Sequence, residues 1–324
     1  MSRILRNGRP AKGRKLNPSM KHSKTNYQGG EAIALATKNL ELVVTTSVGP
    51  RVVEFRSKQG KAGNLFIQFL ADAPRAHGFA VRGGHRLWHS PEDIVRTYQP
   101  DDEPLAVKPL RNGVALAQPV EPKTGMQKAM KIEIVGERTV KVTHALTNHG
   151  LWPVETAVWA LTMFRAGGYG VLPLLPKGNH AAGDLLPTYS FVPWSYTDLA
   201  LPLWDLHRDF VGIDVAKAKV AQKLGITNYP GWSAYWLEGT TFVKSAPVIA
   251  GAVYPDFGCA FETFTNGEMI EFETLSPLVK LAPGQSTTHV EHWGVFDGLP
   301  KPDTDGVFAS SLAPAVNAWL RKLT

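Results

Sequence analysis

The chain has 324 residues, 44% hydrophobic and 19% charged, with 30 glycines and 24 prolines spread along its length. That composition suits a globular protein of many short elements; it holds no apolar run near the roughly 20 residues of a membrane-spanning helix, and its single cysteine, Cys259, excludes a disulfide framework or a multi-cysteine zinc site. The net charge of +7 belongs to the first 28 residues, which carry eight basic side chains and no acid, leaving 27 basic against 28 acidic residues in the remainder.

Low hydrophobicity and like charge predict a disordered basic tail over residues 1–28. The tail lacks the apolar segment of a secretory signal, so a cytoplasmic location is expected. Because the remaining body is nearly neutral, neither nucleic acid nor a membrane is expected as a partner.

Residues 29–324 read as one domain of short alternating runs. Residues 39–44 alternate up to Gly49-Pro50, and 51–55 resume the pattern. Residues 82–93 are polar and open on Gly83-Gly84, which predicts a loop. Runs 131–135 and 139–143 flank Gly136-Glu137-Arg138, a hairpin connection. Residues 173–232 are irregular and rich in proline and aromatics, and predict an ordered segment covering a site. Residues 259–265 alternate up to Asn266-Gly267, and 269–273 return. Pro283-Gly284 turns the chain into a last strand at 288–296. Val316, Trp319, Leu320 and Leu323 then fall at helical spacing, with Pro314 tolerated in the first turn. Strands at this density predict an all-β protein, a large antiparallel β-sandwich with few short helices.

Candidate chemistry concentrates in residues 82–93. Arg82, His85, Arg86, Trp88, His89 and Glu92 combine hydrogen-bonding forks, imidazoles, a carboxylate and a flat indole. Such a set suits a sugar, whose hydroxyls take hydrogen bonds and whose C–H face stacks on an aromatic ring. His85 and His89 are four apart, but Gly83-Gly84 and Pro91 argue against the helix that would turn both to a metal. No metal or other cofactor is expected. A second aromatic group, Trp232, Tyr235 and Trp236 with nearby Lys244, is a further candidate for a sugar groove.

The run Ile270-Glu271-Phe272-Glu273-Thr274, followed by Leu281-Ala282-Pro283-Gly284-Gln285 and an aromatic strand, resembles the end of aldose 1-epimerases (galactose mutarotases). Thr147-Asn148-His149 through Pro153-Val154-Glu155 resembles the middle of that fold. Together with Gly83-Gly84-His85-Arg86-Leu87-Trp88-His89, the pattern is similar to a bacterial branch of the mutarotase-like superfamily, over roughly residues 30–298 in order. The resemblance implies a galactose mutarotase-like supersandwich with a sugar on its concave sheet face. In the family a glutamate takes the anomeric hydroxyl proton and a histidine protonates the ring oxygen. Glu273 fits the glutamate. Aligning Pro153-Val154 with the family's Pro-Val puts Trp159 where the histidine belongs and makes His149 a turn residue.

The resemblance therefore implies a carbohydrate-active protein, with His85 or His89 replacing the missing acid, Glu273 as base and Arg86 holding hydroxyls. Two alternatives stand beside an aldose 1-epimerase-like isomerase. One is a non-catalytic carbohydrate-binding protein. The other is a lyase or hydrolase whose Arg51, Arg82, Arg86 and Lys244 pair with the carboxylates of an acidic saccharide.

Overall fold

A computed structural model describes residues 20–70 and 72–323 of the chain. Two large antiparallel sheets lie face to face. The first runs, in spatial order, Lys21–Tyr27, Gly30–Ala36, Leu40–Thr45, Arg51–Ser57, Gly84–Ser90, Val154–Arg165, Met269–Leu275, Phe261–Thr265, Gln222–Ile226 and Phe191–Pro193. Val279–Leu281 pairs with the start of Val154–Arg165. The second sheet runs Trp204–Leu206, Phe210–Asp214, Tyr169–Pro173, Trp232–Leu237, Thr240–Ser245, Ser286–Asp297, Thr139–Asn148, Met126–Gly136, Gly113–Ala117 and Ala106–Leu110. The predicted hairpins form: Gly136 pairs with Thr139, and Asn266-Gly267 links two paired strands.

Period-two alternation sends one set of side chains from each sheet into a shared core. Leu42, Phe55, Leu87, Val158 and Phe272 meet Met130, Ile132, Val142, Tyr235 and Trp293 there. Phe55 and Phe66 each contact the rings of Phe242 and Trp293 across the interior. Burying each such side chain is worth about 1.5–3 kcal/mol, so this interior holds the sheets together. The C-terminal helix Ala313–Leu320, with Pro314 in its first turn, covers the outer face of the second sheet. Its Val316 and Trp319, with Phe308 and Leu312 from the turns before it, lie against Val171, Trp232 and Val243. No helix among the described residues is long and apolar enough to cross a membrane.

Two expectations change. Residues 1–19 of the expected tail lie outside the described residues, but Lys21–Tyr27 is a strand paired along its length with Gly30–Ala36. The pairing runs through the backbone, which needs no apolar side chains; of the seven residues only Tyr27 is buried. Residues 84–90, expected in a loop, instead form a strand in the middle of the first sheet, bonded to Arg51–Ser57 on one side and Val154–Arg165 on the other. The glycine pair starts that strand. Gly84 has a φ of +69°, and a Cβ there would lie 2.3 Å from the carbonyl oxygen of Val52. Only glycine lets the two backbones approach so closely.

Candidate functional site

The outer face of the first sheet, turned away from the interior, carries a separate cluster. Its register sets Arg86, Leu161, Glu273 and Glu262 in one row across four neighbouring strands, with Trp88, Trp159 and Leu275 in the row beside it. Phe79, Trp88, Trp159, Leu161 and Leu275 pack together there. Loops rise around them. Tyr98 and Glu92 come from the turns after Gly84–Ser90, and Trp194 and Tyr196 from the irregular middle segment. The walls enclose a cleft of about 400 Å³ and a neighbouring one of about 240 Å³, which share Glu92, Tyr98, Trp159 and Lys223. The two form one groove with two lobes.

Lys223 organises the floor. Its Nζ lies 2.8 Å from Oε2 of Glu262 and 2.9 Å from Oε2 of Glu273. The indole Nε1 of Trp159 donates to the same Glu273 oxygen at 2.9 Å. The ammonium also sits 4.6 Å from the ring centroids of both Trp159 and Trp194, a cation–π arrangement from two sides. Burial alone would lower the Lys223 pKa, but the two carboxylates overcome it and hold the group well above its ordinary value. Glu262 is pushed well above the usual carboxylate range by burial, with the charge of Glu273 adding and Lys223 opposing. Oε1 of Glu262 and Oε1 of Glu273 are both buried with no hydrogen-bond partner among the described residues.

Along the groove, Arg86 donates to Glu271 at 3.1 Å and lies over the Trp88 ring at 4.1 Å. Burial raises Glu271, and Arg86 opposes that rise. Trp88 meets Trp159 edge to face at 5.4 Å. Arg51 is paired with Asp101 at 2.9 Å, and Arg82 with Asp102.

Of the residues singled out from sequence, Arg86, Trp88, Glu92 and Trp159 line this groove, Glu273 lies buried beneath it against Lys223 and the Trp159 indole, and Arg82 is tied to Asp102. His149 sits in the turn after Thr139–Asn148, and Trp159 is the ring beside Glu273. The other candidates lie elsewhere. Because residues 84–90 are a strand, His85 and His89 point opposite to Arg86 and Trp88, into the sandwich. Nε2 of His85 is 2.7 Å from Nε2 of His144, and its Nδ1 is 2.9 Å from the Thr162 hydroxyl. His89 lies 3.8 Å from Glu121, which is paired with Lys128 at 2.6 Å. Neither imidazole reaches the groove, so neither can supply the acid that the resemblance leads one to expect there.

Trp232, Tyr235, Trp236 and Lys244 belong to the second sheet. Trp232 stacks on Phe308, beside the C-terminal helix; the Tyr235 hydroxyl bonds Arg165 O; and the Trp236 indole donates to Leu299 O at 2.9 Å. Lys244 is fully buried, 2.8 Å from Glu291, and donates to the carbonyls of Ala160 and Phe272.

His85, His144 and Glu291 converge within 4.8 Å in the core. Nδ1 of His144 faces the His289 carbonyl at 3.1 Å and so carries the proton, which leaves its Nε2 to accept from His85. Glu291 already takes the Lys244 ammonium and the Trp293 indole. The cluster is a satisfied polar network, with its nitrogen and carboxylate lone pairs engaged.

No family model matches the chain, and no curated protein matches it. Solved structures do. A galactose mutarotase-like protein from Clostridium acetobutylicum superposes with a TM-score of 0.56 at 12% identity, over 87% of this chain and all (100%) of that one. A galactose mutarotase-like protein from Lactobacillus casei gives 0.53 at 9% identity, over 82% of this chain and 100% of that one. A TPR-domain containing protein from Parabacteroides distasonis also gives 0.56, at 12% identity over 84% of this chain, which spans 48% of that longer protein. The fold is a galactose mutarotase-like β-sandwich. Identities this low carry the mutarotase-like architecture and nothing finer.

Lys223, Glu262, Glu271, Tyr98 and Trp194 were not singled out from sequence. For Glu262 a signal existed: alternation over residues 259–265 puts it on one face with Phe264, and a carboxylate within an apolar strand marks a special position. Lys223 had no such sign, because its two acids come from strands much later in the chain.

Proposed function

We propose that the protein binds a neutral carbohydrate in the groove on the outer face of the first sheet. The observation that carries this reading is a cleft walled by Trp159, Trp194 and Tyr98 over a floor of buried Glu262 and Lys223, with Glu273 buried behind Lys223. Indole faces accept the C–H side of a sugar ring, and the floor supplies donors and acceptors for its hydroxyls. The mutarotase-like fold supports it, and so does the sequence resemblance to a bacterial branch of that superfamily.

The charges favour a neutral ligand. Lys223 and Arg86, the lysine and arginine lining the two lobes, are already ion-paired. Glu92, Asp93 and Asp256 add negative charge to the larger lobe. Among the described residues a uronate or sugar phosphate would meet no free cation in these lobes, which disfavours the acidic-saccharide lyase reading. An aldose 1-epimerase-like isomerase is favoured as the second reading by Glu273, buried beneath the groove against Lys223 and the Trp159 indole.

Thermal-shift and calorimetric titration of the full chain with neutral hexoses, hexose phosphates and uronates test the proposal. Neutral sugars stabilise the protein, and Trp159→Ala weakens their affinity about tenfold, the loss of roughly one aromatic contact. Stabilisation by uronates alone, or by no sugar, would overturn it.

A further inference from the structure

Two aromatic rings from one turn serve different lobes of the groove: Trp194 lines the larger and Tyr196 the smaller. The turn is closed by Thr197 N donating to Trp194 O at 2.9 Å and Trp194 N donating to the Thr197 hydroxyl oxygen at 3.0 Å. The Thr197 hydroxyl in turn donates to Lys223 O, and Asp198 N donates to the Gln222 side chain at 2.7 Å. These bonds fasten the turn to Gln222–Ile226, the strand that carries Lys223, so both rings are in place before a ligand arrives. Trp194 is partly buried, while Tyr196 is 46% exposed. A ring left this open at the wall of a cleft exposes apolar surface that a stacked ligand would cover.

The polar linings of the lobes differ as well. Glu92, Asp93 and Asp256 give the larger lobe acceptors for hydroxyl protons. Arg86, Trp88 and Glu271 line the smaller one. Nε and Nη1 of Arg86 and Nε1 of Trp88 are buried with no partner among the described residues. Unpaired donors in a buried wall are costly, and a ligand oxygen in that lobe offsets the cost.

We infer that the groove takes a neutral glycan of at least two units, one ring on Trp194 in the larger lobe and the next on Tyr196 in the smaller. The glycosidic linkage passes Trp159 and Tyr98, which border both lobes. A single hexose uses one of the two rings and leaves the other lobe to water; a disaccharide engages both. Lobes of about 400 and about 240 Å³ together fall within the roughly 300–1,000 Å³ of clefts that enclose drug-sized ligands, a class that two joined sugars fit better than one. The larger lobe, where Trp159 and Trp194 flank Lys223, is the place of a single unit, and the smaller lobe adds the second.

This inference rests on the carbohydrate reading, and the test separates the two. Calorimetric titration of the full chain compares D-glucose and D-galactose with maltose, cellobiose, lactose and melibiose. At least one disaccharide binds about tenfold more tightly than its constituent hexoses, the scale of one added aromatic contact. Tyr196→Ala removes that gain and leaves hexose affinity unchanged, whereas Trp194→Ala weakens hexose and disaccharide alike. Tyr196 is exposed, so its loss leaves the fold intact, and Tyr196→Phe, which keeps the ring, retains the gain. Disaccharides that bind no tighter than hexoses, or a gain that survives Tyr196→Ala, would overturn the two-unit groove and leave the binding proposal standing. No binding of any of these sugars would overturn the reading beneath both.

Discussion

Replacing Lys244 with methionine lowers the stability of the protein by about 3–5 kcal/mol, the cost of leaving one member of a buried ion pair alone. Lys244 and Glu291 are both fully buried, 2.8 Å apart between the two sheets. Methionine fills most of the lysine volume, so the loss is electrostatic and not a cavity. Glu291 keeps the Trp293 indole and the Thr274 hydroxyl, but these neutral dipoles do not balance a full charge. The carbonyls of Ala160 and Phe272 lose their donor as well. Equilibrium urea unfolding measures the effect, and adding Glu291→Gln to the variant recovers part of it. A cost below about 1 kcal/mol would mean that the pair is solvated and not core.

Acidification produces the second large effect. Burial, with the nearby Lys244 charge, lowers His144 to about 3; burial also lowers His289 to about 3, against the attraction of Glu291. His85 is lowered well below 6.5, again chiefly by burial. The unfolded chain binds a proton on each ring near the ordinary value of 6.5, while the folded protein keeps the rings neutral. The contribution of these rings is therefore fully present above about pH 6.5 and falls as pH drops from there toward about 3. Each ring costs about 1.4 kcal/mol per pH unit, so His144 and His289 together remove on the order of 4 kcal/mol by about pH 5. Urea midpoints measured between about pH 7.5 and about pH 5 should fall steeply. A flat profile would show that water or a relaxed core accommodates the charged rings.

What was legible from sequence followed the range of the signal. The Asn266-Gly267 hairpin and the connection after Gly136 are local, and turn chemistry identified them. Glu273 and Trp159 were found through a resemblance that spans most of the chain, and they do meet, at 2.9 Å. His85 was misplaced because Gly83-Gly84 suggested a loop, and in a loop alternation has no force. Strand period would have sent His85 and Arg86 to opposite faces. Residues 232–236 misled for another reason. They are apolar on both faces, and which sheet a strand joins is decided by residues far away in sequence. Lys223 was invisible for the same reason, since only the finished register brings Glu262 and Glu273 to it.

The short strand Lys21–Tyr27 has a consequence for how the protein can be trimmed. Among the described residues it is the outermost strand of the first sheet, and its exposed Lys21, His22 and Lys24 make a poor template for another chain. The strand beneath it, Gly30–Ala36, reads Gly-Glu-Ala-Ile-Ala-Leu-Ala and has no lysine. A version beginning at residue 29 would lay that apolar ribbon bare, with its amides and carbonyls facing outward. Such a protein should self-associate at concentrations where the full chain stays monodisperse, as light scattering would record. Lys21, His22 and Lys24 on the outermost described strand would then serve as a guard against fibrous stacking.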